Sequence, residues 1–275
     1  MSVDATVNRG RRLPPFGTLL RGWRRARGLS QLALALEADT SARHLSCVET
    51  GKARPSRPMV LRLAEHLDVP LRERNDLLQA AGYAPEFRES GLDDANMAAV
   101  RGALDTLLAG HEPYPGVVVD RQWNLVAGNG ALAVLTEGVT PELLHRTPVN
   151  VVRLALHPDG LAARCVNLAE VRGHFLDRVL RQANATGDPG LRALYEEVRG
   201  YGGGPAPVPG TDGEAGASQV LVPLRFRTPH GELSMFSTMA TFGAPADITL
   251  SELAIELFFP ADAHTERVLR DRASG

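Results

Sequence analysis

Ser41, Ala42, Arg43, His44, Ser46 and Cys47 fall on the outward face of a short predicted helix whose inward anchors are Leu45 and Val48. Small and polar side chains around one arginine suit a helix that enters a DNA major groove, where an arginine near the helix start can bond guanine bidentately. Gln31 opens the preceding helix, at an N-terminus where its amide and the backbone N–H groups can hold a phosphate. Thr50, Gly51, Lys52 and Arg54 follow as a short basic loop suited to a second phosphate cluster. The same inventory excludes other chemistry. Lys52 is the only lysine among 30 basic residues and is followed by Ala53, so a Schiff base, a Walker A loop or a Ser-Lys or Tyr-Lys dyad has no lysine elsewhere. There is no HExxH, GxSxG or dinucleotide fingerprint, and no motif calls for a metal or a cofactor. The two cysteines, Cys47 and Cys165, exclude a disulfide framework and a CxxC zinc site, and fit a reducing cytosol. The expectation is a cytoplasmic protein that is not an enzyme.

The elements that must position these residues are legible as punctuation. Phe16, Leu19, Leu20 and Trp23 share a helical face that Gly28 stops, and Ser30 caps a second helix with Leu32, Ala35 and Leu36 inward. Asp39 and Thr40 form the turn, with Asp39 at a position that favours φ > 0, and Ser41 caps the third helix, which Gly51 ends. Pro58 opens a fourth helix with Val60, Leu63, Ala64 and Leu67 on one face; Arg72–Ala81 makes a fifth, ended by Gly82. Short second and third helices joined by about four residues are the arrangement of a helix-turn-helix.

Charge separates this head from the rest. Residues 1–60 carry 11 basic and 4 acidic side chains, whereas the whole chain has a net charge of −2. A basic head on an acidic body suggests an anionic polymer partner for the head alone. Five segments follow: a flexible arm at 1–14, a helix-turn-helix domain at 15–85, a linker with a connecting helix at 86–110, a second domain at 111–262, and a C-terminal tail or helix at 263–275. In the second domain, Val117–Val119 and Trp123–Ala127 read as a hairpin. Pro141–Leu156, Val166–Arg181 and Leu191–Arg199 read as helices, and Gly200–Ser218 as a flexible loop. Val220, Val222, Leu224 and Phe226 alternate along a strand, Leu233–Phe242 reads as the next strand, and Leu253–Phe259 fits helix or strand, with the alternation of Leu253, Ile255, Leu257 and Phe259 favouring a third strand. No apolar run approaches the ~20 residues that cross a bilayer, so no membrane partner is expected.

The stretch Phe16–Leu67, with Arg24, Arg27–Gln31 and Glu49–Gly51, resembles the lambda-repressor-like XRE class of bacterial regulators. Ser41–Ser46, Arg54–Ser56, Ala80–Pro85, Val119–Asn124, Thr241–Gly243 and Phe258–Asp262 resemble a narrower group, the MmyB-like regulators. His44 stands where that group more usually has an aromatic residue. The resemblance implies a five-helix lambda-repressor-like DNA-binding domain followed by an α+β PAS-like ligand-binding domain. It also implies a transcription regulator that senses a small apolar ligand such as a fatty acid, and an Arg24–Glu49 ion pair tying the first helix to the recognition helix. A homodimer would place two recognition helices about 34 Å apart on a palindromic duplex. The alternative is a ligand-independent DNA-binding protein whose second domain serves dimerisation or protein docking.

For the ligand, the candidate wall is Trp123, Leu132, Phe175, Leu176, Val179, Tyr195, Phe226, Met235, Phe236, Met239 and Phe242, the same residue types that any core would use. Arg153, Arg164, His174 and Arg178 are the candidates for holding an anionic head.

Overall fold

The computed structural model describes residues 13–202, 222–243 and 245–273. The predicted arm to residue 12, most of the predicted loop and Val220 lie outside the described residues. The chain forms two compact units. One runs through Glu89 and takes in Ala246–Ile248; the other comprises Ser90–Pro245 and the residues from Thr249 onward.

The first unit is helical: α1 (Phe16–Ala26), α2 (Gln31–Glu37), α3 (Ala42–Glu49), α4 (Arg57–His66) and α5 (Leu71–Ala80). Ser30 Oγ accepts the Ala33 amide at 3.0 Å and Ser41 Oγ accepts the His44 amide at 3.1 Å, so each short helix starts on a side-chain cap. Asp39 takes φ +47° in the turn between α2 and α3, the left-handed region an aspartate tolerates better than most residues. Phe16, Leu20, Leu34, Ala35, Leu45, Val48, Leu63 and Leu67 close one core.

One inward assignment is corrected. Leu32 and Leu36 are 60% and 73% exposed, while Leu34 and Ala35 point into the core. In a seven-residue helix the buried stripe is set by the α3 and α4 contacts rather than by a long apolar period, and it falls between the two leucines.

The second unit is α+β. It contains α6 (Ala98–Gly110), β1 (Gly116–Val119), β2 (Leu125–Gly128), α7 (Ala133–Thr136), α8 (Pro141–Leu144), α9 (Val151–Leu156), α10 (Leu168–Thr186), α11 (Pro189–Arg199), β3 (Leu224–Thr228), β4 (Gly231–Ala240), all but the first residue of α12 (Ile248–Glu252), β5 (Ala254–Pro260) and α13 (Ala263–Ala273). The strands form one antiparallel sheet in the order β2-β1-β5-β4-β3. One sheet face, through Val117, Val119 and Met239, packs on α9, α10 and α11; the other, through Val118 and Ile255, packs on Leu104 and Leu108 of α6.

The helix expected over Pro141–Leu156 is broken in two. Val149 O accepts the Leu125 amide at 2.7 Å, which draws the segment onto the end of β2, and Asn150 then caps α9 by accepting the Arg153 amide at 3.1 Å. Pro148 reinforces the break, because it cannot donate to a helical ladder.

Candidate functional site

The helix-turn-helix face is built from a buried charge cluster outward. Gly17 of α1 lies so close to the end of α3 that a Cβ there would meet Glu49 O at 2.3 Å, so only glycine lets the two helices touch. Beside that contact, Arg24 grips the Glu49 carboxylate with both edges of its fork, Nε to Oε1 at 2.6 Å and Nη2 to Oε2 at 3.0 Å. Arg21 reaches the same carboxylate and the Glu49 carbonyl, and Gln31 Nε2 donates to Glu49 Oε2 at 2.8 Å. Burial pushes the Glu49 carboxyl up, but hydrogen bonds from Arg24 and Gln31, the Arg24 charge and the Arg21 hydrogen bond outweigh it and hold the group below the ordinary carboxylate range. The orientation of α3 is therefore fixed from inside by a charged clamp. Gln31 belongs to that clamp, with one amide hydrogen already committed.

The solvent face of α3 carries Arg43 and His44, both exposed, their side chains without a hydrogen bond or ion pair among the described residues. Ser46 and Cys47 beside them are half-buried. Ser41 is exposed, with its hydroxyl serving as the cap. Ala42 packs against the core. Past Gly51 (φ +75°), Lys52 is exposed and unpaired among the described residues, and the exposed Thr50 hydroxyl turns back to Ser46 O at 2.8 Å. Arg54 corrects the reading of a free basic loop. Its guanidinium donates to Ala81 O at 3.0 Å and Gly82 O at 3.1 Å and lies 5.1 Å from the Tyr83 ring, so it clamps the end of α5.

The second unit holds an apolar cavity of about 130 Å³ between the sheet, α9 and α10. Leu132, Phe175, His174 and Arg178 of the sequence candidates line it; Val117, Leu125, Leu154, Val171, Leu224 and Phe258 complete much of the wall. On α10 the lining residues Val171, His174, Phe175 and Arg178 form one helical face. Leu176 and Val179 lie on another, in the core shared with α11, together with Tyr195. On β4 the alternation puts Ser237 toward the cavity, while Phe236 stacks on Phe259 with ring centroids 5.4 Å apart. Phe242 packs on the α6 side of the sheet, and Phe226 and Met235 fill a separate core with Leu233.

Trp123 and Met239 border the cavity without lining it. Trp123, at φ +66°, donates from Nε1 to Gln182 and offers its face to Arg178 at 4.7 Å; Met239 receives an Arg178 N–H on its sulfur. Two of the proposed head-group arginines are used elsewhere. Arg153 makes two 2.8 Å bonds to Glu197, and Arg164 donates to Leu135 O at 2.6 Å and lies 5.7 Å from the Phe226 ring.

Sequence reasoning missed Glu256, a cavity-lining carboxyl on β5 that is only 6% exposed. Its neighbour Ser237 donates to it at 2.7 Å. Burial pushes the Glu256 carboxyl up, against the downward pull of Ser237 and of the Arg178 charge. Burial likewise lowers Arg178, and burial with the Arg178 charge lowers His174, which stands exposed at the cavity mouth. One signal was available: Glu256 is the acidic interruption in an otherwise apolar strand, Ala254–Pro260. Alone it reads as an ordinary strand-edge charge.

Among the described residues no group of His, Cys, Asp and Glu could hold a metal ion, and no helix is long and apolar enough to cross a membrane.

Comparison with known proteins agrees with this division. A helix-turn-helix domain model matches residues 15–77, and the model of the MmyB-like transcription regulator ligand binding domain matches residues 100–271. No curated protein matches the chain. A solved structure described as an RNA-binding light-oxygen-voltage receptor is similar over 93% of this chain at 17% identity and a TM-score of 0.26, and the chain spans 61% of that structure's length. With more than half of its length in the ligand-binding model and a helix-turn-helix ahead of it, the chain belongs to the MmyB-like transcription regulators.

Proposed function

We propose that α3 reads a palindromic operator as part of a homodimer, and that a small apolar ligand in the cavity of the second unit sets the affinity for that operator. The observation that carries the reading is the division of labour on α3: a buried Glu49 clamped by three side chains within, and a free Arg43 and His44 without. Arg43 supplies the direct base contact; Ser46 and Cys47 shape the surface beside it. Lys52 and the N-terminus of α2 at Gln31 take phosphates. Arg54 supports the fold rather than the contact. The protein acts in the cytoplasm as a regulator and not as an enzyme.

The ligand is apolar with one polar end, which the cavity supports by its lining. Its size refines the fatty-acid expectation. A dry cavity of roughly 150 Å³ accommodates benzene, so about 130 Å³ fits a short or branched acid as the walls stand, and a long acyl chain requires them to part. A cavity with a polar end also favours the sensor over a pure docking module, whose second unit would gain nothing from the void.

Two experiments test the reading. Selection of duplexes from a random library by the full chain yields an enriched palindrome with half-sites one helical turn apart. Solvent extraction of the purified protein with mass spectrometry yields a stoichiometric apolar compound, or leaves a protein that takes up short apolar probes. Random sequences after selection, and a second unit that takes up no apolar molecule, contradict it.

A further inference from the structure

The polar end of the cavity is underprovided with protein partners. Among the described residues, Ser237 is the hydrogen-bond partner of Glu256, and the Met239 sulfur is that of the Arg178 guanidinium. Arg178 and Glu256 influence one another electrostatically, yet no ion pair joins them among the described residues. A carboxyl only 6% exposed and a half-buried guanidinium thus line one apolar void without being paired to each other. Desolvating ionisable groups costs free energy, and a cavity that gathers them is a candidate binding site.

We propose that this end of the cavity recognises a carboxylic acid through one shared proton: Arg178 donates to one oxygen of the ligand carboxyl group, and Glu256, steadied by Ser237, shares a proton with the other. The proposal rests on the apolar-ligand reading above and goes past it by naming Glu256 as the partner of the acid's carboxyl group and the linkage to pH that follows. An apolar acid reaches the site as its carboxylate. Two carboxylates cannot face each other in a low-dielectric pocket, so one proton is taken up from solvent and held between them, while the Arg178 charge balances the remaining negative charge.

The groups facing Glu256 can be named from each side. Arg178 and, farther out, His174 come from α10; the hydroxyl of Ser237 and the thioether of Met239 come from β4; and Val117 of β1 pairs with it in the sheet. His174 stands at the mouth, exposed, so its titration acts on the same ligand only from a distance.

The sign follows from the proton count. Below the pKa of Glu256 in the empty protein the proton is already present and affinity is flat; above it, each complex must take up one proton, so carboxylate affinity weakens by about tenfold per pH unit. A neutral ligand of the same shape shows no such slope.

The test uses the full chain with hexanoate and 1-hexanol as probes. Calorimetry in buffers of different ionisation enthalpy reads proton uptake, and difference infrared spectroscopy of the hexanoate complex reads the protonated-carboxyl stretch. The expected result is a protonated-carboxyl band in the hexanoate complex at about pH 8, with uptake of about one proton wherever free Glu256 is ionised. In Glu256→Gln the uptake vanishes and the band is lost. In Arg178→Leu hexanoate binding falls at least tenfold, while 1-hexanol binding stays within about twofold. Because Glu256→Gln removes a buried group, Ser237→Ala serves as the milder variant, and it changes the pH at which uptake begins. Binding of 1-hexanol together with a hexanoate complex lacking the protonated band overturns the shared proton and leaves the apolar-ligand reading intact. Failure of both probes to bind overturns that reading, and the proposal with it.

Discussion

Glu49 shows how much a single side chain can decide in this fold. It is a helix-terminal acid, 4% exposed, whose carboxylate receives Arg24, Arg21 and Gln31. Removing it leaves Arg24 buried without its counter-charge, so Glu49→Ala is expected to cost about 3–5 kcal/mol, read by chemical denaturation of the full chain. The group's folded pKa is lowered, so the stability it contributes is complete above the unfolded carboxylate value and is lost as pH falls through the folded one. The protection factors of the α1 and α3 amides should therefore fall on acidification below about pH 4.5, and that acid sensitivity should be absent in Glu49→Gln. Lys52 belongs at the same scale. As a free, exposed cation it can contribute only sequence-independent attraction. Lys52→Ala should weaken binding to all duplexes alike and reduce the salt slope by about one.

At the scale of elements, contact between α1 and α3 depends on Gly17, where a Cβ would sit 2.3 Å from Glu49 O. Gly17→Ala must push the helices apart. The overpacking is expected to cost about 1–3 kcal/mol, measured by denaturation, although the same change in an open helix would stabilise it. Leu36 makes the opposite case. Helical periodicity turns it inward, but at 73% exposure Leu36→Gln should change stability by no more than about 0.5 kcal/mol.

The pattern of what was legible follows from this. Caps at Ser30 and Ser41, the left-handed Asp39, the glycine stops and the strand alternation at Leu224 and Ile255 are local signals, and the structure keeps them. The resemblance added the Arg24–Glu49 pair, which the structure forms. Break points set by partners far along the chain were not legible, as at Val149, which leaves its helix to pair with Leu125. Nor was the choice among apolar residues between lining a void and filling a core. Phe226, Met235 and Leu176 have the residue types of a wall and the register of a core, and only the packing of α10 against the sheet separates them from Phe175 and Leu132.

At the scale of the whole molecule, a ligand in the second unit changes operator affinity only by binding the protein's conformations unequally, and such coupling is typically about 1–3 kcal/mol. Saturating the cavity should accordingly shift the operator Kd about 5- to 150-fold, in a direction set by which conformation the ligand prefers, and operator should shift ligand affinity by the same factor. Both halves of that reciprocity can be read by fluorescence anisotropy. All of it presupposes a helix that distinguishes sequences. The most direct measurement is the ratio of affinities of the full chain for its selected duplex and for a scrambled duplex of equal length and composition, in wild type and in Arg43→Ala. The account predicts a wild-type preference of about a thousandfold or more. It further predicts that losing the base contact of Arg43 reduces this preference by about 1–3 kcal/mol and leaves affinity for the scrambled duplex much less changed. A wild-type ratio near one at every salt concentration, or a preference that Arg43→Ala leaves untouched, contradicts it.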